Sequence, residues 1–207
     1  MRIKNKKNSI LFFLLIFFIF SVNLQAEEFN ITAKEVLIDK ENEILTGIGS
    51  VIAEDSDGNI IKADKITYKK SKEFLLAEEN VEIIDVQGNI LLSKKATYDK
   101  KNESIKTYEE TEVLLKEGYK LLTKNISYDA KEKLLISNDN SIFTDSDGNF
   151  IETEMFQYRI NDNLFSSVGK IKIIDIKKNK YFFKELHVDT KKKEMIGSDV
   201  SVILDQE

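Results

Sequence analysis

From residue 31 to residue 204 the hydrophobic positions recur every thirty residues without an insertion. One column reads Ile31, Ile61, Leu91, Leu121, Ile151, Tyr181, and a second Val36, Ile66, Ala96, Ile126, Phe156, Leu186. A third is Ile38, Tyr68, Tyr98, Tyr128, Tyr158, Val188; a fourth is Leu45, Leu75, Ile105, Leu135, Phe165, Met195. The fifth is Ala53, Ile83, Val113, Phe143, Ile173, Ile203. At 42% apolar composition, six matches out of six arise by chance in roughly half a percent of columns, so five such columns require a structural cause. Two further columns hold small residues. They are Ala33, Ala63, Ser93, Thr123, Thr153, broken by Phe183, and Gly47, Ala77, Thr107, Ser137, Ser167, Gly197. Small inward residues let a wall bend or two walls approach.

Each repeat contains two chain reversals. One is polar and follows the tyrosine column, at 69–73, 99–103 and 129–133. The other carries glycines thirty apart, as in Asp57-Gly58-Asn59 and Asp147-Gly148-Asn149, where Gly and Asn tolerate positive φ. The segments between are about ten residues rich in Ile, Leu, Val, Thr and Tyr, a strand composition. Alternating reversals predict antiparallel strands, two per repeat and roughly twelve in all. A parallel β-helix is the other architecture open at this point, but it does not require two hairpin turns per repeat. The inward phase slips once per strand: 61 and 63 face one way, then 66 and 68. A step of three cannot hold one face of a flat strand, so a bulge or bend is expected there. Bends at a common height fold the sheet lengthwise into a V with a greasy inner face, about 55 Å long at 4.8 Å per strand.

The first residues break this pattern. Four positive charges in residues 2–7 precede an apolar run, Ile10 to Phe20, then Ala26 and Glu27. This is the order of a secretory signal cut after Ala26. The run spans roughly 16 Å as a helix, whereas a bilayer core needs about 30 Å. Left uncut, the segment extended through Leu24 would give a short anchor. The expected organisation is a signal peptide over 1–26 and one repeat domain over 27–207.

Charge narrows the range of partners. The chain carries 31 basic and 36 acidic residues. Without Arg2, Lys4, Lys6 and Lys7, 27 bases face 36 acids, a charge of −9. Such a surface repels nucleic acid and anionic membranes at long range. With no Cys there is neither a disulfide framework nor a thiolate metal site.

Candidate chemistry is sparse. Asp55-Ser56-Asp57-Gly58-Asn59 and Asp145-Ser146-Asp147-Gly148-Asn149 resemble calcium loops, but their Gly stands fourth and the aligned Val86-Gln87-Gly88-Asn89 lacks the acids. A plain hairpin turn is the expectation. His187, the single histidine, falls between inward Leu186 and Val188, so it should point outward without a catalytic partner. The tyrosine column reads as a cross-strand aromatic ladder, with its rings at the rim of any groove. The Lys-rich turns (Lys69, Lys70, Lys72; Lys191, Lys192, Lys193) share a near-neutral rim with as many acids and read as solvated turns. Glu109, Glu110 and Glu112 read as surface. No cofactor, metal site or catalytic set is expected, and the chain is not read as an enzyme.

The phrases Ala63-Asp64-Lys65-Ile66-Thr67-Tyr68 and Ser93-Lys94-Lys95-Ala96-Thr97-Tyr98-Asp99 resemble the repeat signature of the OstA-like family. So do Ala77-Glu78-Glu79-Asn80-Val81 and Ile48-Gly49-Ser50-Val51. The resemblance covers residues 29 to 204 and is closest to the LptD N-terminal periplasmic domain or LptA, in the lipopolysaccharide transport machinery. It implies an all-β fold, a folded β-jellyroll (β-taco) of six thirty-residue, two-strand repeats. It implies a periplasmic protein, near the outer membrane, that holds lipid A acyl chains in a hydrophobic groove. The groove would be lined by Ile61, Ile66, Tyr68, Leu75, Ile83, Leu91, Tyr98, Ile105, Val113, Leu121, Ile126, Tyr128, Leu135, Phe143, Ile151, Phe156, Tyr158, Phe165 and Ile173. The implied partners are lipopolysaccharide, same-fold Lpt-type proteins stacked through edge strands, and an outer-membrane barrel. Phe29 and Ile31 at one end and Val200, Val202 and Leu204 at the other would form the docking edges. Two rivals stand beside this reading: a structural or adhesive envelope scaffold without a lipid ligand, and a polysaccharide-acting β-solenoid enzyme, for which no pair of acids presents itself.

Overall fold

Alternating β-branched stretches and tight turns fold as a single antiparallel sheet. A computed structural model describes residues 29–116, 118–192 and 194–205; the expected signal peptide lies outside them. The strands are β1 Phe29–Thr32, β2 Glu35–Asp39, β3 Ile44–Asp55, β4 Ile60–Lys69, β5 Phe74–Ile84, β6 Ile90–Asp99, β7 Ser104–Leu114, β8 Lys120–Thr123 and β9 Ser127–Asp129. They continue as β10 Leu134–Ser137, β11 Ser141–Thr144, β12 Phe150–Thr153, β13 Phe156–Arg159, β14 Leu164–Ile174, β15 Lys180–Asp189, β16 Glu194–Ser198 and β17 Ser201–Ile203.

The expected twelve strands are present as twelve rungs but seventeen segments. Seven rungs run unbroken (β3 to β7, β14 and β15), and the other five are each parted at mid-height into two halves. Every pairing is between consecutive rungs and antiparallel, for example Ile61↔Ile83 and Tyr68↔Leu75 between β4 and β5, and β1 with β3 or β10 with β13 where a rung is parted.

The bend expected from the phase slip is found at mid-height. In unbroken rungs the ladder jumps there: between Ile48 and Val51, Lys62 and Lys65, Glu78 and Val81, Ser93 and Lys95, Val168 and Ile171. On the second strand of five of the six repeats the bend contains a left-handed residue in the same column: Gly49, Glu79, Glu109, Gly169 and Asp199, with Asp139 the exception. Gly169 has φ of 112° and a hypothetical Cβ 2.6 Å from Glu154 Oε2; an L side chain there is strained, and the Glu154 carboxylate would have to move aside. The outside of the crease is tied by side chains. Asn80 donates to Asp64, Asn125 to Asp139, and the Lys170 amide to Glu154.

The bend divides each rung into two arms. One ends in the glycine turns, where Gly58, Gly88, Gly118 and Gly148 adopt φ of 87° to 94°. The other ends in the lysine-rich turns. Among the described residues, β1 and β2 pair only with β3, and β16 and β17 only with β15, so the sheet has a free edge at each end.

Candidate functional site

The inner columns meet between the arms. A front cluster gathers Phe29, Val51, Ala53, Ile61, Ala63, Ile66, Tyr68, Leu75, Ala77, Val81 and Ala96, with Ile31, Ile83 and Tyr98 packed against it. A back cluster gathers Leu121, Ile126, Phe156, Phe165, Ile171, Ile173, Phe183 and Leu186, with Val113, Leu135, Phe143, Ile151 and Tyr158 around it. Among the expected groove residues, Leu91, Ile105 and Tyr128 belong to neither cluster; all three are half-buried, as are Ile83, Val113 and Leu135. Tyr98 in the front cluster and Phe143, Ile151 and Tyr158 in the back are half-buried too, so the inner face is sealed only at the cluster centres and is partly reachable by solvent along its length.

Aromatic rings bridge the arms in both clusters. Phe29, on the glycine-turn arm, sets its ring 5.2 Å from Tyr68 and 6.0 Å from Tyr98, both edge-on. Phe143 does the same deeper in the back, 4.6 Å from Phe156 and 5.0 Å from Phe165. Such edge-to-face contacts add to the area term.

The terminal repeats depart from the columns. Val36, Ile38 and Met195 occupy inward positions but are 43%, 65% and 56% exposed, because no further rung covers them. The terminal apolar residues Val200, Val202 and Leu204 are exposed too, whereas Phe29 is buried and Ile31 half-buried.

A further inward column, Val51, Val81, Thr111, Ser141 and Ile171, is buried in every case but escapes an apolar filter because two members carry hydroxyls. Those hydroxyls belong to a polar seam along the crease. Thr111 donates to Thr107 (2.8 Å), Ser141 to Thr123 (2.9 Å), and Thr123 pairs with Ser137 (2.9 Å). Ser93 pairs with Thr111 (3.2 Å), and Thr153 meets Ser167. The seam also serves backbone groups where the rungs part. Thr107 Oγ1 accepts from the Ile126 amide, Thr111 donates to the Lys124 carbonyl, and Thr153 and Ser167 both donate to the Met155 carbonyl. Buried backbone groups outside a ladder need such partners.

The remaining candidates have structural partners. Asp55 accepts from the amides of Asp57 and Asn59 and from the Asn59 side chain, and Asp85, Asp145 and Asp175 repeat the arrangement. These carboxylates are engaged by their own turn. The amide of Asn179 holds the Asp175 carboxyl below the usual carboxylate range, and Tyr181 adds a hydrogen bond of 3.0 Å. Lys94 is held above its ordinary value by Glu109, 3.1 Å away.

His187 requires a correction: it points outward but is not alone. Its Nδ1 lies 2.9 Å from Ser166 Oγ and its Nε2 3.0 Å from Glu185 Oε1. The three sit on β14 and β15, where Ser166 pairs directly with His187. Ser166 is only 7% exposed, and the three side chains tie the two strands together as a cross-strand clasp. A separate trough of about 1040 Å³ lies mainly on the outer face of the glycine-turn arm, between Leu122, Ile142, Glu152, Lys172 and Phe182.

No family model and no curated protein matches this sequence. Solved structures offer distant likenesses. One is to LptH, the LptA-homologous periplasmic component of the lipopolysaccharide transport device from Pseudomonas aeruginosa, at 10% identity over 86% of this chain and 95% of that one, with a TM-score of 0.26. Another is to the TCP10 domain of Danio rerio CPAP, at 10% identity over 84% and 99%, with a TM-score of 0.16. At these scores neither likeness carries an argument. Among the described residues no helix is long and apolar enough to cross a membrane.

Proposed function

We propose that this chain is a periplasmic, OstA-like carrier that holds the acyl chains of lipopolysaccharide in the lumen between its two arms. The observation that carries this reading is the half-buried middle of the inner face. There Ile83, Leu91, Ile105, Val113, Tyr128 and Leu135 continue the apolar columns without being sealed off from solvent. The repeat signature points the same way. Each methylene that leaves water for such a surface contributes about 0.8 kcal/mol. Columns repeated every thirty residues present the same contacts at each step, which lets a chain slide. The free edges, with exposed Val200, Val202 and Leu204 at one end and Val36, Leu37 and Ile38 at the other, suit strand addition by same-fold proteins or an outer-membrane partner domain. Directional movement would come from an energy source elsewhere.

Site-specific photo-crosslinking tests the lumen. A crosslinker at Tyr128 should label lipopolysaccharide, and one at the outward Ser127 should not. Equal labelling at the two positions would remove the inner groove as the site. The second reading, a scaffold without ligand, is favoured by the aromatic bridges that close the front and back clusters; it predicts labelling at neither position.

A further inference from the structure

The front of the lumen contains a polar atom that the fold leaves unanswered. Tyr68 is 7% exposed, and its hydroxyl, shielded from solvent, has no hydrogen-bond partner among the described residues. This sets it apart from Tyr158 in the same column, whose hydroxyl meets Thr190 Oγ1 at 3.2 Å. Buried hydroxyls are normally paired, and an orphan of this kind calls for an explanation. The ring edge-on to Tyr68 belongs to Phe29, in a strand, Phe29–Thr32, that among the described residues is held by β3 alone. An edge strand held on one side opens at little cost compared with the rungs beside it.

We propose that Phe29 holds the place of an acyl chain, and that the Tyr68 hydroxyl donates to the ester carbonyl oxygen of that chain when it enters. The proposal rests on the lipid reading above and adds to it a latch and a specificity contact. An aromatic side chain and a run of methylenes fill comparable apolar volume, so one replaces the other without leaving a void. A phenol donates one hydrogen bond to a carbonyl oxygen, and such a bond fixes where along its length the chain stops. An ester meets this site better than a free acid does. Ala53, Ile61 and Leu75 in the same cluster are apolar, and a carboxylate among them would be a buried charge without a counter-ion.

The experiment uses the purified full chain and three diazirine-bearing fourteen-carbon probes: a methyl ester, the free acid and an alkane without oxygen. Phe29→Ala should raise labelling by the ester and by the alkane several-fold over wild type. Tyr68→Phe should lower ester labelling about fivefold, the worth of one neutral hydrogen bond, and leave alkane labelling unchanged. Because the hydroxyl makes no bond within the fold, Tyr68→Phe should also melt no lower than wild type, which separates a lost contact from lost structure. If wild type is labelled and Phe29→Ala is labelled no more strongly, the latch is wrong. If Tyr68→Phe changes ester and alkane labelling alike, or changes neither, the hydroxyl contact is wrong. Stronger labelling by the free acid overturns the ester assignment. If no probe labels any variant, the lipid reading itself fails, and this proposal with it.

Discussion

The front and middle repeats solve one problem in two ways. Each must bend a rung at mid-height without stranding backbone hydrogen-bond groups. In the front, β3 to β6 run unbroken for ten to twelve residues, and the ladder skips only one to three residues on each strand at the crease. Gly47, Val51, Ala63, Ala77, Val81 and Ala96 fill that crease with small apolar groups. In the middle, β8 to β13 are three or four residues each, and the residues between them leave the ladder. Thr107, Thr111, Thr123, Ser137, Ser141 and Thr153 line that crease instead. The exchange of Ala for Ser or Thr within one column is therefore not neutral variation. Where the ladder parts, the hydroxyl replaces the missing ladder bonds; Ser93 does the same at the skip between unbroken β6 and β7, where it donates to the Tyr108 carbonyl.

The strongest way to break the comparison is Phe156→Ala. It removes the ring against which Phe143 and Phe165 pack and should cost about 3–5 kcal/mol. If front and back clusters are separate units, hydrogen exchange should accelerate in β11 to β15 while β3 to β6 keep their protection; uniform loss would make them one unit.

A reciprocal exchange within the small-residue column is the sharper test. Thr107→Val strips the Ile126 amide of its acceptor and should destabilise by about 1–3 kcal/mol. Ala77→Ser, thirty residues earlier, buries a hydroxyl where the ladder is intact and should also destabilise, by a similar 1–3 kcal/mol. Denaturant midpoints with unchanged slopes would measure both. A stabilising Ala77→Ser would show that the front crease too has unmet backbone groups.

The smallest effect is set by pH. The folded-state pKa of Asp175 is depressed by the Asn179 amide, so its contribution is fully present above the unfolded value and is lost as pH falls through the folded one. The 175–179 turn should hold from neutral pH to about pH 4 and loosen below it. The turn at 115–119 has Leu115 and Tyr119 in place of Asp and Asn, so it has no capping aspartate to lose, and only the small shift from titration of the adjacent Glu117 side chain is expected there. Amide shifts of Lys178 and Gly118 during an acid titration would separate the two.

Much of this was legible in the thirty-residue spacing: the antiparallel rungs, both sets of turns, the bend, and the five inward columns in the internal repeats. The all-β antiparallel sheet agrees with that reading. The Val51 to Ile171 column was hidden because an apolar filter discards Thr111 and Ser141. The parting of the rungs was hidden because Ser and Thr were read by size, and their value here is their oxygen. The left-handed Glu79 and Glu109 gave no signal, since no glycine marks them. The contact between His187 and Ser166 needed strand register, which pairs residues twenty-one apart in sequence.

The lysine-rich turns carry a consequence for the length of the molecule. Each donates a backbone bond to the turn one repeat earlier: Lys70 to Glu43, Lys100 to Glu73, Ala130 to Glu103, Ile160 to Lys133, Thr190 to Asn163. Every link joins residues twenty-seven apart, and none depends on a particular side chain. A gene encoding such a rim can gain or lose a whole unit by duplication or deletion and still splice the new turn into the series. Each unit adds two rungs, or about 10 Å. Repeat number then acts as a ruler, which evolution could adjust in fixed increments.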